Sequence, residues 1–302
     1  DARSACHRLD IPFYILDYQK EFRESVIDYF ISEYSNGQTP NPCVMCNKKI
    51  KNDLLLKKVD ELDCDFLATG HYARVYNNRE NGRPQLARPQ DLCKDQTYFL
   101  HGIPALELPR LMFPLAKIIK PEVRKIAEKL NLSAAKKPDS QEICFVPKNY
   151  RVFLKQEMKT NPERGEFVSV SGEVLGQHKG LPYYTIGQRR GLGLSDKTPY
   201  YVTKIDKAQN KVVLGKEEDL FSKTIHVSSV NWVSIEAPDI PIRVSAKLRY
   251  AHQGAPATVF PVSGNQVRVE FDSPERSVTP GQAAVFYKDD ILLGGARIDN
   301  LP

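Results

Sequence analysis

The stretch Asp65-Phe66-Leu67-Ala68-Thr69-Gly70 indicates the fold class of this 302-residue chain. Its short apolar run ends in a glycine turn, which is typical of a buried strand. Leu55, Val59 and Leu62 stand just upstream at helical spacing, and a second strand-like run occupies residues 13–16. The order strand, helix, strand predicts an α/β domain built on a parallel sheet.

The pattern of the sequence changes after about residue 150. A helix is predicted from Tyr150 to Met158, and little helical periodicity follows from residue 165 onward. We therefore predict an α/β domain over 1–149, a small central domain over 150–215 and a C-terminal all-β barrel over 216–302. The short, evenly spaced strands that favour barrels lie at residues 168–170, 200–202, 211–214, 243–246 and 266–269.

The bulk composition is that of a soluble globular protein. Hydrophobic residues make up 41% and charged residues 26%, and no apolar run reaches the roughly 18 residues that a membrane-spanning helix needs. The first residues show no basic-then-apolar leader, and six cysteines are too few for a disulfide-stapled secreted fold. We expect a cytoplasmic protein that has no membrane partner. The net charge of +6 permits a polyanionic partner without requiring one.

The segment Thr39-Pro40-Asn41-Pro42-Cys43-Val44-Met45-Cys46-Asn47 is the first candidate for chemistry. Its two prolines predict a rigid, extended approach to a helix that begins at Asn47. A cysteine just before a helix meets the positive end of the helix dipole, which lowers the pKa of the thiol. Cys-x-x-Cys is also a zinc spacing, although the chain lacks a second such pair. Zinc, sulfur or redox chemistry, and an iron–sulfur site all remain open here.

Three further segments are candidates, each with a simpler structural alternative. Cys144 lies in a polar, Pro-broken loop but has apolar neighbours, so it is either a reactive loop thiol or a core cysteine. Gly70 and His71 follow a strand end, where α/β sheets bind ligands, or they form a plain turn. Residues 94–98 are polar and then aromatic, which also suits a helix start capped by Asp95.

Residues 180–193 combine aromatic side chains, an arginine pair and four glycines. Arginine contacts phosphate groups and aromatic rings stack on bases, so the segment favours contact with RNA. Arg249-Tyr250, which follows a predicted barrel strand, has the same combination. A β-hairpin with exposed arginines explains both segments equally well.

Taken in order, these segments resemble the bacterial and organellar tRNA-specific 2-thiouridylases. The resemblance covers residues 39–282, nearly the whole chain. Its six motifs are Thr39-Pro40-Asn41-Pro42-x-x-x-Cys46-Asn47, Ala68-Thr69-Gly70-His71-Tyr72, Lys94-Asp95-Gln96-Thr97-Tyr98-Phe99-Leu100, Lys137-x-Asp139-Ser140-x-x-Ile143-Cys144-Phe145, Gly187-Gln188-Arg189-x-Gly191-Leu192-Gly193 and Thr279-Pro280-Gly281-Gln282.

The resemblance implies an adenylating α/β domain of the PP-loop class, a small central domain and a C-terminal β-barrel. It implies a tRNA uridine 2-sulfurtransferase with two stages. ATP, with Mg²⁺, adenylates the C2 oxygen of the anticodon wobble uridine, and cysteine-borne sulfur then replaces that oxygen. The implied partners are tRNA and a sulfur-donor protein, either a persulfide carrier or a cysteine desulfurase.

The same resemblance implies roles for individual residues. Cys144 resembles the cysteine that receives sulfur as a persulfide, and Cys46 resembles its partner, which attacks the persulfide and releases sulfide or closes a disulfide bond. Asn41, Pro42 and Cys43 resemble the loop that meets the target base. Gly70 matches a residue at the nucleotide, while the residues that match tRNA contacts are His71, Lys94, Asp95, Gln96, Arg249, Tyr250 and Gln282.

Two departures from the family pattern leave alternatives open. The phosphate loop of the family, Ser-Gly-Gly-Val-Asp-Ser-Ser, is absent, so we expect this chain as it stands not to adenylate its substrate. A non-catalytic tRNA-binding or iron–sulfur protein of the same descent is the rival reading, and a PP-loop enzyme acting on a small molecule is a third. Cys43 replaces the aspartate of many members, and Cys43, Cys46 and Cys144 would suit a [4Fe–4S] cluster as well as a persulfide relay.

Overall fold

The computed structural model describes residues 1–137, 143–147, 149–158, 160–262 and 265–299 of the chain. Short helices dominate its first third. Two of them continue without a break through π-helical turns, at Arg23–Ile27 and Cys46–Leu54. The α-helices are α1 (Ala2–Leu9), α2 (Gln19–Phe22), α3 (Asp28–Ser35), α4 (Pro42–Met45), α5 (Leu55–Glu61), α6 (Lys120–Lys129) and α7 (Tyr150–Glu157).

Strands take over toward the C-terminus, as the sequence predicts. Single 3₁₀ turns connect several of the elements, and two of these turns, at Leu92–Lys94 and Thr97–Leu100, matter for the site. The strands are β1 (Leu67–Ala68), β2 (Arg74–Asn77), β3 (Pro84–Ala87), β4 (Leu111–Met112), β5 (Gly165–Ser169), β6 (Val174–His178), β7 (Tyr201–Asp206), β8 (Lys211–Gly215), β9 (Phe221–Trp232), β10 (Ile242–Lys247), β11 (Ala255–Pro261), β12 (Val267–Arg276), β13 (Ala283–Lys288) and β14 (Ile291–Ile298).

The parallel sheet of the first domain is confirmed, but its strand is not buried as predicted. β1 pairs in parallel with β4, with Leu67 opposite Leu111. Phe66 is 54% exposed, because within the described residues β1 has a strand neighbour on one side only. The prediction of a strand at residues 13–16 is wrong, again because a neighbouring strand is lacking among the described residues. That run pairs with no described strand, and it stays irregular and exposed.

The central domain is a four-stranded sheet in the order β6-β5-β8-β7. β5 and β8 run parallel, whereas the two outer pairings are antiparallel. Apolar side chains on one face form the core together with the turn at Leu181–Tyr183 and the loop that follows it. The fully buried members of this core are Phe167, Val202, Val212 and Leu214.

The C-terminal domain is a closed antiparallel barrel of six strands, which confirms the predicted all-β barrel. Its order is β13-β10-β11-β12-β9-β14, and the pairing of β13 with β14 closes the ring. Alternate residues of each strand point inward, as the two-residue period of a strand requires. The core includes Ile225, Val227, Val259, Val269, Phe271, Phe286 and Ile298.

The barrel shares a core with the first domain. β14 also pairs with β3, with Leu292 opposite Leu86, so the β2-β3 hairpin extends the barrel sheet. Tyr98 from the first domain and Tyr287 from the barrel are both buried in this shared core. Packing between domains therefore fixes the loops that carry the site. None of the helices in the described parts of the chain combines the length and apolar character needed to cross a bilayer.

Candidate active site

The helix that carries Cys46 begins earlier than the sequence predicts. It starts at Pro42 instead of Asn47, and the Asn41 side chain caps it by accepting a 3.4 Å hydrogen bond from the Val44 amide. Proline fits the first helical turn because the amide that it lacks has no partner there. Pro42 therefore starts the helix. The sequence interpretation had instead placed Pro42 in an extended segment before the helix. Cys43 and Cys46 lie in the first turns of this helix.

A π-helical segment, Cys46–Leu54, follows directly and brings Lys51 over Cys46. Hydrogen bonds in a π-helix join residues five apart, whereas in an α-helix such residues point about 140° apart. Lys51 Nζ lies 3.4 Å from His71 Nε2. Burial raises the pKa of both neighbouring thiols, Cys46 and Cys43, and the positive charge of Lys51 opposes that rise.

Burial is nevertheless the largest influence on these two thiols. It raises the pKa of Cys46, with Lys51 opposing and Cys144 adding to the increase. It raises the pKa of Cys43 as well, where Cys144 and Cys46 add their repulsion. The sequence predicted that the helix dipole lowers the pKa of the thiol. The pKa is raised instead, because desolvation of the thiolate outweighs the effect of the dipole. The shared repulsion also indicates that Cys144 lies near both thiols.

Cys144 is exposed at the end of an anchored turn and is not a core cysteine. The residue after it, Phe145, packs edge-on against Phe30 at 5.4 Å and Phe22 at 5.8 Å between ring centroids. Val146 is buried and donates its amide hydrogen bond to Ile143 O. The apolar neighbours thus anchor the turn and leave the thiol accessible. Asp139 and Ser140 of the same motif lie outside the described residues.

The loop that precedes the helix contacts the barrel. Pro42 is buried, and Asn41 and Cys43 are partly buried. Gln282 Nε2 donates to Thr39 O at 3.0 Å and to Pro40 O at 3.2 Å. The resemblance assigns Gln282 a tRNA contact, whereas the structure places its amide on the backbone of this loop.

Gly70 and His71 lie at the end of β1 in different environments. A side-chain carbon added at Gly70 would meet no atom within 4 Å, so the backbone there is open to a ligand. His71 is buried, and its ring lies between Thr69 Oγ1, at 2.7 Å from Nδ1, and Lys51. Burial and the charge of Lys51 lower the pKa of His71 to about 4, so the ring is neutral at pH 7.

Lys94, Asp95 and Gln96, which the resemblance expects to contact tRNA, differ in accessibility. Asp95 is buried and accepts hydrogen bonds from the Thr97 amide and hydroxyl, at 2.9 and 2.6 Å. Gln96 Oε1 accepts from the Tyr72 amide at 2.9 Å. Asp95 therefore shapes the turn, and Gln96, although partly exposed, joins the turn to Tyr72. Lys94 is partly exposed beside them.

Arg249 and Tyr250 of the barrel lie next to that turn. Arg249 is exposed, and the Tyr250 ring packs 4.5 Å from Phe99 while 41% of the residue stays exposed. The charges of Asp95 and Lys94 both act on the Tyr250 hydroxyl. The first domain and the barrel thus form one continuous surface at these residues.

Comparison with known proteins identifies the family. A model described as the HUP domain of tRNA methyl transferases matches residues 1–148. A PRC-barrel domain model of the same name matches residues 151–216, and an aminomethyltransferase β-barrel domain model matches residues 222–298.

Three relatives carry the name tRNA-specific 2-thiouridylase MnmA. The protein of Carboxydothermus hydrogenoformans is 47% identical over 300 residues, which are 99% of this chain and 82% of the relative. That of Symbiobacterium thermophilum is 46% identical over 99% of this chain and 77% of its own length, and that of Clostridioides difficile 43% over 99% and 83%. The chain belongs to the tRNA-specific 2-thiouridylase family. The resemblance read from the six motifs is therefore confirmed.

The cysteine thiols of this 2-thiouridylase family member are all free. The six cysteines make no disulfide bond. Among the described residues, which include Cys43, Cys46 and Cys144, no group of three or more His, Cys, Asp or Glu side chains could hold a metal ion. The described residues therefore give no support to the iron–sulfur alternative, which stays a prediction.

Lys51 is the site residue that sequence reasoning missed in this 2-thiouridylase chain. On an α-helix a residue five positions after Cys46 points elsewhere, so spacing alone gave no reason to select it. The sequence indicates only that a basic group is near Cys46, because Lys48, Lys49 and Lys51 follow that cysteine closely. Only the π-helical register distinguishes Lys51 from the other two.

Proposed function

We propose that this protein is a tRNA uridine 2-sulfurtransferase that forms 2-thiouridine at the wobble position of the anticodon. The observation that carries the proposal is the approach of two thiols of different accessibility, exposed Cys144 and partly buried Cys46. Cys46 lies in the helix that begins directly after Asn41. Relatives that share 43–47% of its residues are named tRNA-specific 2-thiouridylases, which supports the same reaction here.

The first stage converts a poor leaving group into a good one. The C2 oxygen of uridine does not leave readily, and ATP, as a substrate with Mg²⁺, supplies the adenylate that makes it leave as AMP. In this chain we assign Gly70 to the nucleotide, because the space at its α-carbon is open. The HUP-domain match supports the use of ATP.

The second stage moves sulfur through the two cysteines. The Cys144 thiolate takes the outer sulfur of a donor persulfide and becomes a persulfide, and the donor leaves as a thiolate. The terminal sulfur of Cys144 then attacks C2, and AMP departs. The Cys46 thiolate attacks the inner sulfur, so the new sulfur stays on C2 and a Cys46–Cys144 disulfide forms. A dithiol reductant must then reduce that disulfide before the next turnover.

The partners follow from accessibility. An exposed Cys144 suits a donor protein that must reach it, either a persulfide carrier or a cysteine desulfurase. The tRNA is assigned to the surface formed by Lys94, Arg249 and Tyr250, where an arginine and an aromatic ring stay exposed. Since thiols must stay reduced for this cycle, we place the protein in the cytoplasm.

The decisive test is complementation in cells that lack their own 2-thiouridylase. The complete gene that contains this sequence should restore 2-thiouridine in bulk tRNA, measured by mass spectrometry of digested nucleosides. Cys46→Ser and Cys144→Ser should each abolish the product while tRNA binding persists. Cys64→Ser, which replaces an exposed cysteine outside the residues assigned to the site, is the matched control and should retain the product.

Other outcomes would select the rival functions. If the wild-type gene restores no 2-thiouridine but the protein binds tRNA with a strong salt dependence, a non-catalytic tRNA-binding protein is the better description. If the protein has no tRNA affinity at any salt concentration, the proposal fails altogether. Surviving product in the Cys144→Ser variant would remove Cys144 from the mechanism.

A further inference from the structure

The loop at residues 39–42 is held from three directions. From the barrel, Pro280 O accepts a 3.0 Å hydrogen bond from the Thr39 amide. From the central domain, Thr185 Oγ1 lies 3.5 Å from Thr39 Oγ1. From the first domain itself, the Asn41 side chain accepts a 3.4 Å hydrogen bond from the Val44 amide. The loop that begins the Cys46 helix is therefore where the three domains meet.

Gln282 supplies the most specific of these contacts. A carboxamide nitrogen has two N–H groups, and this one reaches two successive carbonyl oxygens, Thr39 O at 3.0 Å and Pro40 O at 3.2 Å. Both donors are thus occupied within the protein. The two contacts join residues 243 and 242 positions apart in sequence. They tie the barrel to the two residues just before Asn41.

The backbone of the same barrel turn leaves no room for a side chain. Gly281 has φ +90°, and a Cβ added there would lie 2.9 Å from both the nitrogen and the oxygen of Thr39. Such a distance is tighter than ordinary van der Waals contact with backbone atoms. Only glycine permits this approach, both in space and in backbone conformation. The turn and the loop are therefore fitted to each other at backbone level.

A second, separate contact joins the barrel to helix α3, which precedes the loop in the chain. Arg297 of β14 forms an ion pair with Glu33 of α3 at 3.1 Å. The buried Tyr98 of the first domain donates its hydroxyl to Ala283 O of β13 at 3.1 Å. The barrel therefore contacts the loop itself and also two first-domain residues outside the loop, Glu33 and Tyr98. A small cavity between them is lined by Tyr29, Asn41, Lys48, His101, Gln282 and Arg297.

We propose that the barrel turn Thr279–Gln282 is a clamp that sets the position of the loop presenting Asn41 and, through the helix start at Pro42, the position of Cys46. Gln282 is then a positioning residue for sulfur transfer. This inference deepens the proposed function and rests on it for the consequence in catalysis. The clamp itself is testable without any activity.

The first experiment measures the clamp directly. Gln282→Glu preserves shape but removes both N–H donors, and Gln282→Ala removes the whole group, so one variant remains informative if the other fails to fold. Backbone hydrogen exchange, followed by mass spectrometry of peptides covering residues 38–50, should become about three- to tenfold faster in either variant. Exchange in barrel strands β10 to β12 should stay unchanged. Unchanged exchange at 38–50 in a folded variant would overturn the clamp.

The second experiment separates positioning from tRNA contact. In the Gln282 variants the turnover number at saturating tRNA should fall about 10- to 100-fold, because small misplacements of reacting groups cost that much. The dissociation constant for tRNA should change less than twofold. Gln266→Ala, an exposed glutamine of the same domain, is the matched control and should change neither quantity. A weakened tRNA affinity with an unchanged turnover number would overturn the proposal in favour of a tRNA contact.

The two experiments also keep the proposals distinct. If wild-type protein makes no 2-thiouridine, the proposed function fails while the exchange measurement still decides the clamp. If wild-type protein is active and the exchange at residues 38–50 is unaffected, the clamp fails while the function stands.

Discussion

Two opposing influences act on the thiol of Cys46. Burial raises its pKa, and the charge of Lys51 lowers it. Because the thiolate is the reactive form, reaction at Cys46 should speed up as pH rises through the range in which the thiol ionises. Lys51 keeps this range lower than burial alone would set it.

Replacing Lys51 should therefore slow Cys46 at neutral pH. In Lys51→Met the pKa of Cys46 rises further, and alkylation of Cys46 by iodoacetamide at pH 7.5 should be roughly two- to fivefold slower, since a partly exposed charge pair is worth about 0.5–1 kcal/mol. Peptide mass spectrometry against pH measures the profile, which should move to higher pH. Lys49→Met, which removes the partner of Asp53 on the same helix, should leave it in place. Equal shifts in both variants would exclude a specific role for Lys51.

Cys43 distinguishes the persulfide relay from an iron–sulfur mechanism. In the relay only Cys46 and Cys144 exchange sulfur, so Cys43→Ser should retain 2-thiouridine formation. Protein purified without oxygen should be colourless and should lack stoichiometric iron, as measured by metal analysis and an absorption spectrum. A brown protein with about four irons per chain, together with loss of product in Cys43→Ser, would instead select a [4Fe–4S] cluster.

At the scale of elements, the stability of the helix over residues 42–61 depends on the residues at its N-terminus. Asn41 caps it and Pro42 occupies the first turn. Asn41→Ala should lower the free energy of unfolding by about 1 kcal/mol, whereas Asn41→Asp retains an acceptor and should be close to wild type. Urea denaturation measures both. Asn149→Ala, which removes the cap of α7, provides a stability change of similar origin for comparison. Equal stability of Asn41→Ala and Asn41→Asp would show that the cap is unimportant.

Two of the buried histidines, His101 and His71, link the stability of the whole molecule to pH with the largest effect. His101 lies where the first domain meets the barrel. Its ring packs against Gly295, and its carbonyl accepts from Asn231 at 2.7 Å. Burial lowers the pKa of His101 and of His71 from 6.5 to about 4. Between pH 6.5 and pH 4 the unfolded chain binds more protons than the folded one, so stability is full above 6.5 and is lost as pH falls toward 4.

The size of that loss can be stated for a measurable interval. Between pH 7 and pH 5 each histidine should cost about 2 kcal/mol of unfolding free energy. Urea denaturation at several pH values should therefore show a steep decline over this interval. His101→Phe, which removes the titrating ring at the domain contact, should reduce the decline by the contribution of that histidine, about 2 kcal/mol over this interval. A variant with the same slope as wild type would contradict the role of His101.

Much of the architecture was accessible from local sequence patterns. The strand at Leu67–Ala68, the helix at Tyr150–Glu157 and the closed barrel all follow from periodicity and turn residues. Patterns failed where an apolar run lacks a partner, as at residues 13–16, because apolar character alone does not supply a neighbouring strand. The domain boundaries near residues 150 and 216 remain predictions.

The sequence by itself determined the family, the order of the domains and the cysteines to examine, because motifs and periodicities are local properties. Only the tertiary structure decided which side chains act together. It brings Cys144 close to Cys46, lays Lys51 over Cys46 through a π-helical register, and turns Gln282 onto a loop 242 residues away. It also reversed the expected effect on the Cys46 thiol, because burial depends on what packs around a residue and not on its neighbours in the chain.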